Sequence, residues 1–130
     1  TLQELREIFK GGTSVYWLTH YVFGQPSPSH PKTLSQSSID LLIINTVVPF
    51  LYAYGKHKGE ERLCNRASQL LEDLKPGNNY ITRMWEECGL KAAHAGDSQA
   101  LIQLKKNYCD SKKCLYCRIG YEYFKKEQKE

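Results

Sequence analysis

Apolar residues recur along this chain mainly at helical spacing. Leu2, Leu5, Ile8 and Phe9 share one face of a short amphipathic helix that stops at Gly11-Gly12. Ser14 to Phe23 is aromatic and apolar. It runs into Gly24-Gln-Pro-Ser-Pro-Ser-His-Pro31, where three prolines remove backbone donors and predict a loop over residues 24–34 without regular structure.

The longest apolar stretch, Ile39 to Tyr54, follows a run of potential capping serines, Ser35, Ser37 and Ser38. Its apolar residues cover every face, which predicts a buried helix at the centre of the fold. Asp40, Asn45 and Pro49 interrupt it, and it falls short of the roughly 20 residues a membrane-spanning helix needs. Pro49 is expected to kink or divide this helix and to free the carbonyl of Asn45, whose buried carboxamide then needs partners. The β-branched residues Ile39, Ile43, Ile44, Thr46, Val47 and Val48 also suit a buried strand; the helical character of the neighbouring segments favours helix.

Beyond it, Leu63, Ala67, Leu70, Leu71 and Leu74 form one stripe, closed by Lys75-Pro76-Gly77. Asn78 or Asn79 caps a helix carrying Ile81, Met84, Trp85 and Cys88 on one face, with Gly89 at its end. Asp97 or Ser98 caps another carrying Leu101, Leu104 and Tyr108, and Leu115, Ile119 and Tyr123 continue a last one. The prediction is an all-α, irregular array of six to seven helices in a single domain of 130 residues, with no internal repeat.

Charge adds an asymmetry. The net charge is +4, and residues 105–130 hold eight basic residues against four acidic ones, while the rest of the chain balances. Lys105, Lys106, Lys112, Lys113 and Arg118, interleaved with Tyr108, Tyr116, Tyr121, Tyr123 and Phe124, are the candidates for contacting nucleic acid, because rings stack on bases where lysines meet phosphates. The competing reading is a solvated, lysine-rich terminal helix whose rings pack the core.

The densest chemistry is Tyr108-Cys-Asp-Ser-Lys-Lys-Cys-Leu-Tyr-Cys117, which brings Cys109, Cys114 and Cys117 to one turn. Nearby lysines and a helix N-terminus favour thiolate there. Zinc or an iron–sulfur cluster is the cofactor such a turn suggests, but both ordinarily take four ligands, and a fourth would have to come from Cys64, Cys88 or His94. A packed elbow of small hydrophobes therefore outweighs a metal site. Cys64 and Cys88 read as core residues, and His94 as a loop residue. No phosphate loop, HExxH or paired-carboxylate motif is present, so this segment alone is not expected to be an enzyme. Five cysteines without an export signal suggest reduced thiols in the cytoplasm and no membrane association.

Three stretches, Val48-Pro-Phe-Leu-Tyr-Ala-Tyr-Gly55, Asn78-Asn-Tyr-Ile-Thr-Arg-Met-Trp85 and Asp97 through Gly120, resemble the C-terminal part of an uncharacterised bacterial family classed as a domain of unknown function. Members of that family are much longer. The resemblance therefore implies a C-terminal fragment acting as a structural or interaction module, whose partner is the N-terminal region of its own full-length chain. It carries no site residues.

Overall fold

The computed structural model describes residues 1–127, apart from the side chain of Glu127; Gln128, Lys129 and Glu130 of the basic tail lie outside the described residues. The fold is predominantly α. Within the described residues it contains α1 (Leu2–Phe9), α2 (Val15–Leu18), α3 (Gln36–Leu42), α4 (Val48–Lys58), α5 (Glu61–Asp73), α6 (Tyr80–Glu87), α7 (Ala95–Leu104) and α8 (Arg118–Glu127). Since α3 and α4 form one continuous helix, these are seven helices, as the periodicity predicts. The chain divides into two compact units, Thr1–Leu70 and Leu71 onward.

In the first unit, α1 meets α3 through a charged contact. The Arg6 guanidinium donates to both carboxylate oxygens of Asp40, at 2.8 and 2.9 Å. This bidentate geometry holds the Arg6 pKa above its ordinary value. Ile8, expected on the apolar face of α1, is 75% exposed.

A small antiparallel hairpin, β1 (His20–Val22) and β2 (Gln25–Pro26), reaches into the segment expected to be a loop, with its second strand at residues 25 and 26. Gly24, at φ +73°, makes the turn, and Pro26 can sit in the pair because an edge position needs no donor on its outer side. Tyr16 fixes the turn by accepting a hydrogen bond from Gly24 N at 3.0 Å.

Ser35 caps α3 by accepting from Ser38 N at 3.2 Å. The helix then widens into a π turn, Ile43–Val47, before α4. This turn lies directly before Pro49, which could not supply a donor to continue the regular ladder. Ile39, Ile43, Ile44 and Val48 are the buried positions here, and Val48, five residues after Ile43, donates its N–H to the Ile43 carbonyl. In an unbroken α-helix Val47 would take that place.

Asn45 is exposed, contrary to the expected buried carboxamide, and its side chain donates to the Leu41 carbonyl at 2.9 Å. The expectation of a wholly buried helix also fails. Leu41, Phe50, Tyr52 and Tyr54 are exposed, and only 28% of the most apolar window of the 23-residue helix Gln36–Lys58 is buried. Nor is the helix too short: by length and composition alone it is long and apolar enough to cross a membrane.

Gly59, left-handed at φ +70°, ends α4 and turns the chain into α5. Here Gly55 is the point of closest approach, since a Cβ on it would come within 2.9 Å of Leu63 Cβ and 3.0 Å of Cys64 Sγ. Cys64, Ala67 and Leu70 form the buried stripe of α5 in this unit.

In the second unit, Asn79 caps α6 in a capping box with Thr82, and its carboxamide oxygen accepts from Ile81 N and Thr82 N. The predicted caps of α7 are wrong. His94 takes that position, its Nδ1 accepting from Asp97 N at 3.4 Å. Asp97 instead accepts from Ala93 N, and the fully buried Ser98 hydroxyl donates to the Ala95 carbonyl and accepts from Gly77 N. These bonds pin the Pro76-Gly77 turn to the first turn of α7.

Candidate functional site

The cysteine turn is built by a second π turn, Lys105–Cys109, which extends α7 and ends with Asp110 N donating to the Lys105 carbonyl at 2.9 Å. Lys112 N donates to Cys109 O and Lys113 N to Tyr108 O, closing a reversal in which Lys112 adopts φ +53°. A left-handed conformation costs a lysine about 1–2 kcal/mol, so the surrounding bonds must hold it there. A 3-10 turn, Cys114–Tyr116, follows, with Cys117 N donating to the Cys114 carbonyl at 3.2 Å before α8 begins.

This reversal brings Cys109, Cys114 and Cys117 to the wall of one pocket of about 180 Å³, with Trp85, Leu104, Tyr108, Ile119 and Gly120. Trp85 is anchored by its indole N–H, which donates to Leu101 O at 3.2 Å. Cys117 is buried; Cys109 and Cys114 belong to exposed residues, and all three thiols are free.

The three cysteines line one pocket, but their expected activation by lysines is not the dominant effect at Cys109. Partial burial of that thiol pushes its pKa up, the neighbouring Cys117 and Cys114 add to the rise, and Lys105 opposes it only weakly. Among the described residues, no group of three or more His, Cys, Asp or Glu side chains is arranged to hold a metal ion.

The proposed nucleic-acid cations separate into two sets. Lys105 is ion-paired to Asp110, which raises its pKa, and Arg118 pairs with Glu122 at 3.2 Å. Lys106 and Lys113 line an open cleft of about 650 Å³ together with Asn107, Tyr108, Ser111 and Tyr116. Lys112 lies on the exposed reversal. Tyr108 lines both cavities, so the thiol pocket and the basic cleft share a wall.

The remaining candidates resolve differently. Cys64 is a core residue, its thiol directed at the Tyr52 carbonyl at 3.6 Å. Cys88, expected in the core, is exposed at the C-terminal cap of α6, one residue beyond its last apolar turn. His94 is a helix cap and not a loop residue. Sequence reasoning overlooked Gly120, where any side chain would overlap the Cys114 carbonyl. Its position two residues into a helix, three after Cys117, was the available signal.

These features define a helical protein with a cysteine-rich elbow that encloses an apolar pocket. The family model described as Protein of unknown function (DUF2851) matches residues 1–80, and the chain belongs to that family. The match includes Val48–Gly55 and ends early in the second resembling stretch, so Asp97–Gly120 lies beyond it. No curated protein and no solved structure matches the chain.

Proposed function

We propose that this chain is the helical C-terminal interaction module of a cytoplasmic bacterial protein, and that its Gln36–Lys58 helix docks against the N-terminal region of the same full-length polypeptide. The observation that carries this reading is the exposure of Leu41, Phe50, Tyr52 and Tyr54 on a helix of which only 28% of the most apolar window is buried. Phe50 and Tyr54 stack at 6.1 Å between ring centroids, forming a continuous aromatic surface one helical turn long. Apolar area of this kind contributes about 25 cal/mol per Å² when covered, so a few such side chains supply several kcal/mol of docking free energy.

Protein is favoured over lipid as the covering by Arg6 and Asp40. Their bidentate pair fastens the beginning of the helix to α1, and both side chains are only about one-fifth exposed, at 22% and 19%. Pulling that helix into a bilayer would break the pair or carry it into hydrocarbon at a cost of several kcal/mol.

The test is Leu41→Asp combined with Phe50→Asp in the full-length protein. Docking predicts that unfolding separates into two transitions as the module loses its contact. A single, unshifted transition would overturn the reading.

A further inference from the structure

The cysteine elbow carries chemistry that the docking surface does not use. Cys114 and Cys117 form a C-x-x-C pair within a hydrogen-bonded 3-10 turn, Cys117 N to Cys114 O at 3.2 Å. Such a turn keeps the Cα atoms of its first and fourth residues within about 7 Å, against the roughly 4.4–6.8 Å that a disulfide spans. The pair can therefore close by side-chain rotation with little backbone movement.

The two thiols differ in the way a nucleophile and its resolving partner must. Cys114 belongs to an exposed residue, while Cys117 is 7% exposed in the wall of the apolar pocket. Leu115 and Tyr116 between them are 75% and 84% exposed, so a ligand can reach the turn from solvent. Lys113 and Tyr116, which flank this part of the chain, line the open cleft with Lys106. That cleft supplies two cations and a ring beside the exposed thiol.

We propose that Cys114 and Cys117 are a thiol–disulfide exchange pair that acts on low-molecular-weight disulfides bearing carboxylates, with Lys106 and Lys113 binding the carboxylates. The Cys114 thiolate, its proton lost to water, attacks one sulfur of the substrate disulfide. This breaks the S–S bond, forms a mixed disulfide and releases the first thiolate, which takes up a proton. Cys117, losing its proton in turn, attacks the Cys114 sulfur, displaces the second thiolate and leaves a Cys114–Cys117 disulfide. The protein dithiol is oxidised by two electrons and the small disulfide is reduced to two thiols. Cys109 shares the pocket, where burial raises its pKa and disfavours its thiolate.

The experiment treats the reduced full-length protein, without oxygen, with glutathione disulfide as the anionic probe and cystamine as the cationic one. Thiols of this segment are followed by peptide mass mapping. The expected result is a loss of two of its five thiols, mapped to a Cys114–Cys117 bridge, with glutathione disulfide reacting several-fold faster than cystamine. Cys117→Ser should trap a mixed disulfide on Cys114, and Lys106→Glu with Lys113→Glu should reverse the probe preference without changing the far-ultraviolet spectrum. A bridge that uses Cys109, or modification confined to Cys88, overturns the exchange pair. Faster reaction with cystamine overturns the carboxylate-bearing substrate.

Discussion

Gly120 packs against Cys114 so closely that a side-chain carbon on the glycine would overlap the cysteine's carbonyl. Ordinarily, replacing a glycine inside a helix by alanine stabilises it by up to about 1 kcal/mol. Here the obstructing atoms are backbone and cannot rotate away, so the overlap wins. Gly120→Ala is expected to destabilise the second unit by about 1–3 kcal/mol and to increase labelling of Cys117 by a maleimide. A variant at least as stable as the parent, with Cys117 still protected, would show that α8 and the cysteine turn are not held together at this point.

Ser98 makes a sharper test of how the second unit is fastened. Its fully buried hydroxyl bonds both the Ala95 carbonyl and Gly77 N, the latter at 3.1 Å. Ser98→Ala leaves the half-buried Gly77 N–H without this acceptor, against a cost of about 1–3 kcal/mol for a fully buried donor deprived of its partner. Denaturant unfolding should register that loss, whereas Ser68→Ala, at an exposed site on α5, should change stability by less than about 0.5 kcal/mol.

Cys109 gives a pH-dependent prediction with a definite sign. Burial and the adjacent cysteines raise its pKa above the ordinary 9.0, so the folded protein favours the thiol over the thiolate. Its contribution to folding stability is complete below the unfolded-state value and is lost as pH rises through the folded-state one. The pH dependence of Cys109 alkylation, read by peptide mass spectrometry, should have its midpoint above 9.0 in the native protein and fall back on unfolding. A native midpoint below the unfolded one would mean that the lysines dominate after all.

Most of the helices were legible because their signals are local. Asn79 and the α5 stripe act through neighbours within one or two turns, and the sequence displays those neighbours directly. What was hidden depended on small departures from the 3.6-residue period. The π turn at Ile43–Val47 passes the bond to the Ile43 carbonyl from Val47 to Val48, and Asn45 within it is exposed, the reverse of the burial expected for it. The cap of α7 was hidden because a histidine ring is an unusual replacement for the serine or aspartate that follows it, and both of those were engaged elsewhere.

The cysteine elbow was half legible for a similar reason. Spacing alone placed the three thiols at one turn, and all three cysteines line one pocket. It did not reveal that burial would outweigh lysines at Cys109, since that depends on Trp85 and Leu104 closing the pocket from other helices.

The central claim is that the apolar helix is covered in the full-length protein, and hydroxyl-radical footprinting of that protein at dilute, monomeric concentration tests it most directly. Phe50 and Tyr54, 71% and 44% exposed in this chain, should be oxidised several-fold more slowly than Tyr116, which lies outside the proposed docking surface. Oxidation of Phe50 and Tyr54 as fast as their exposure here implies would contradict the account.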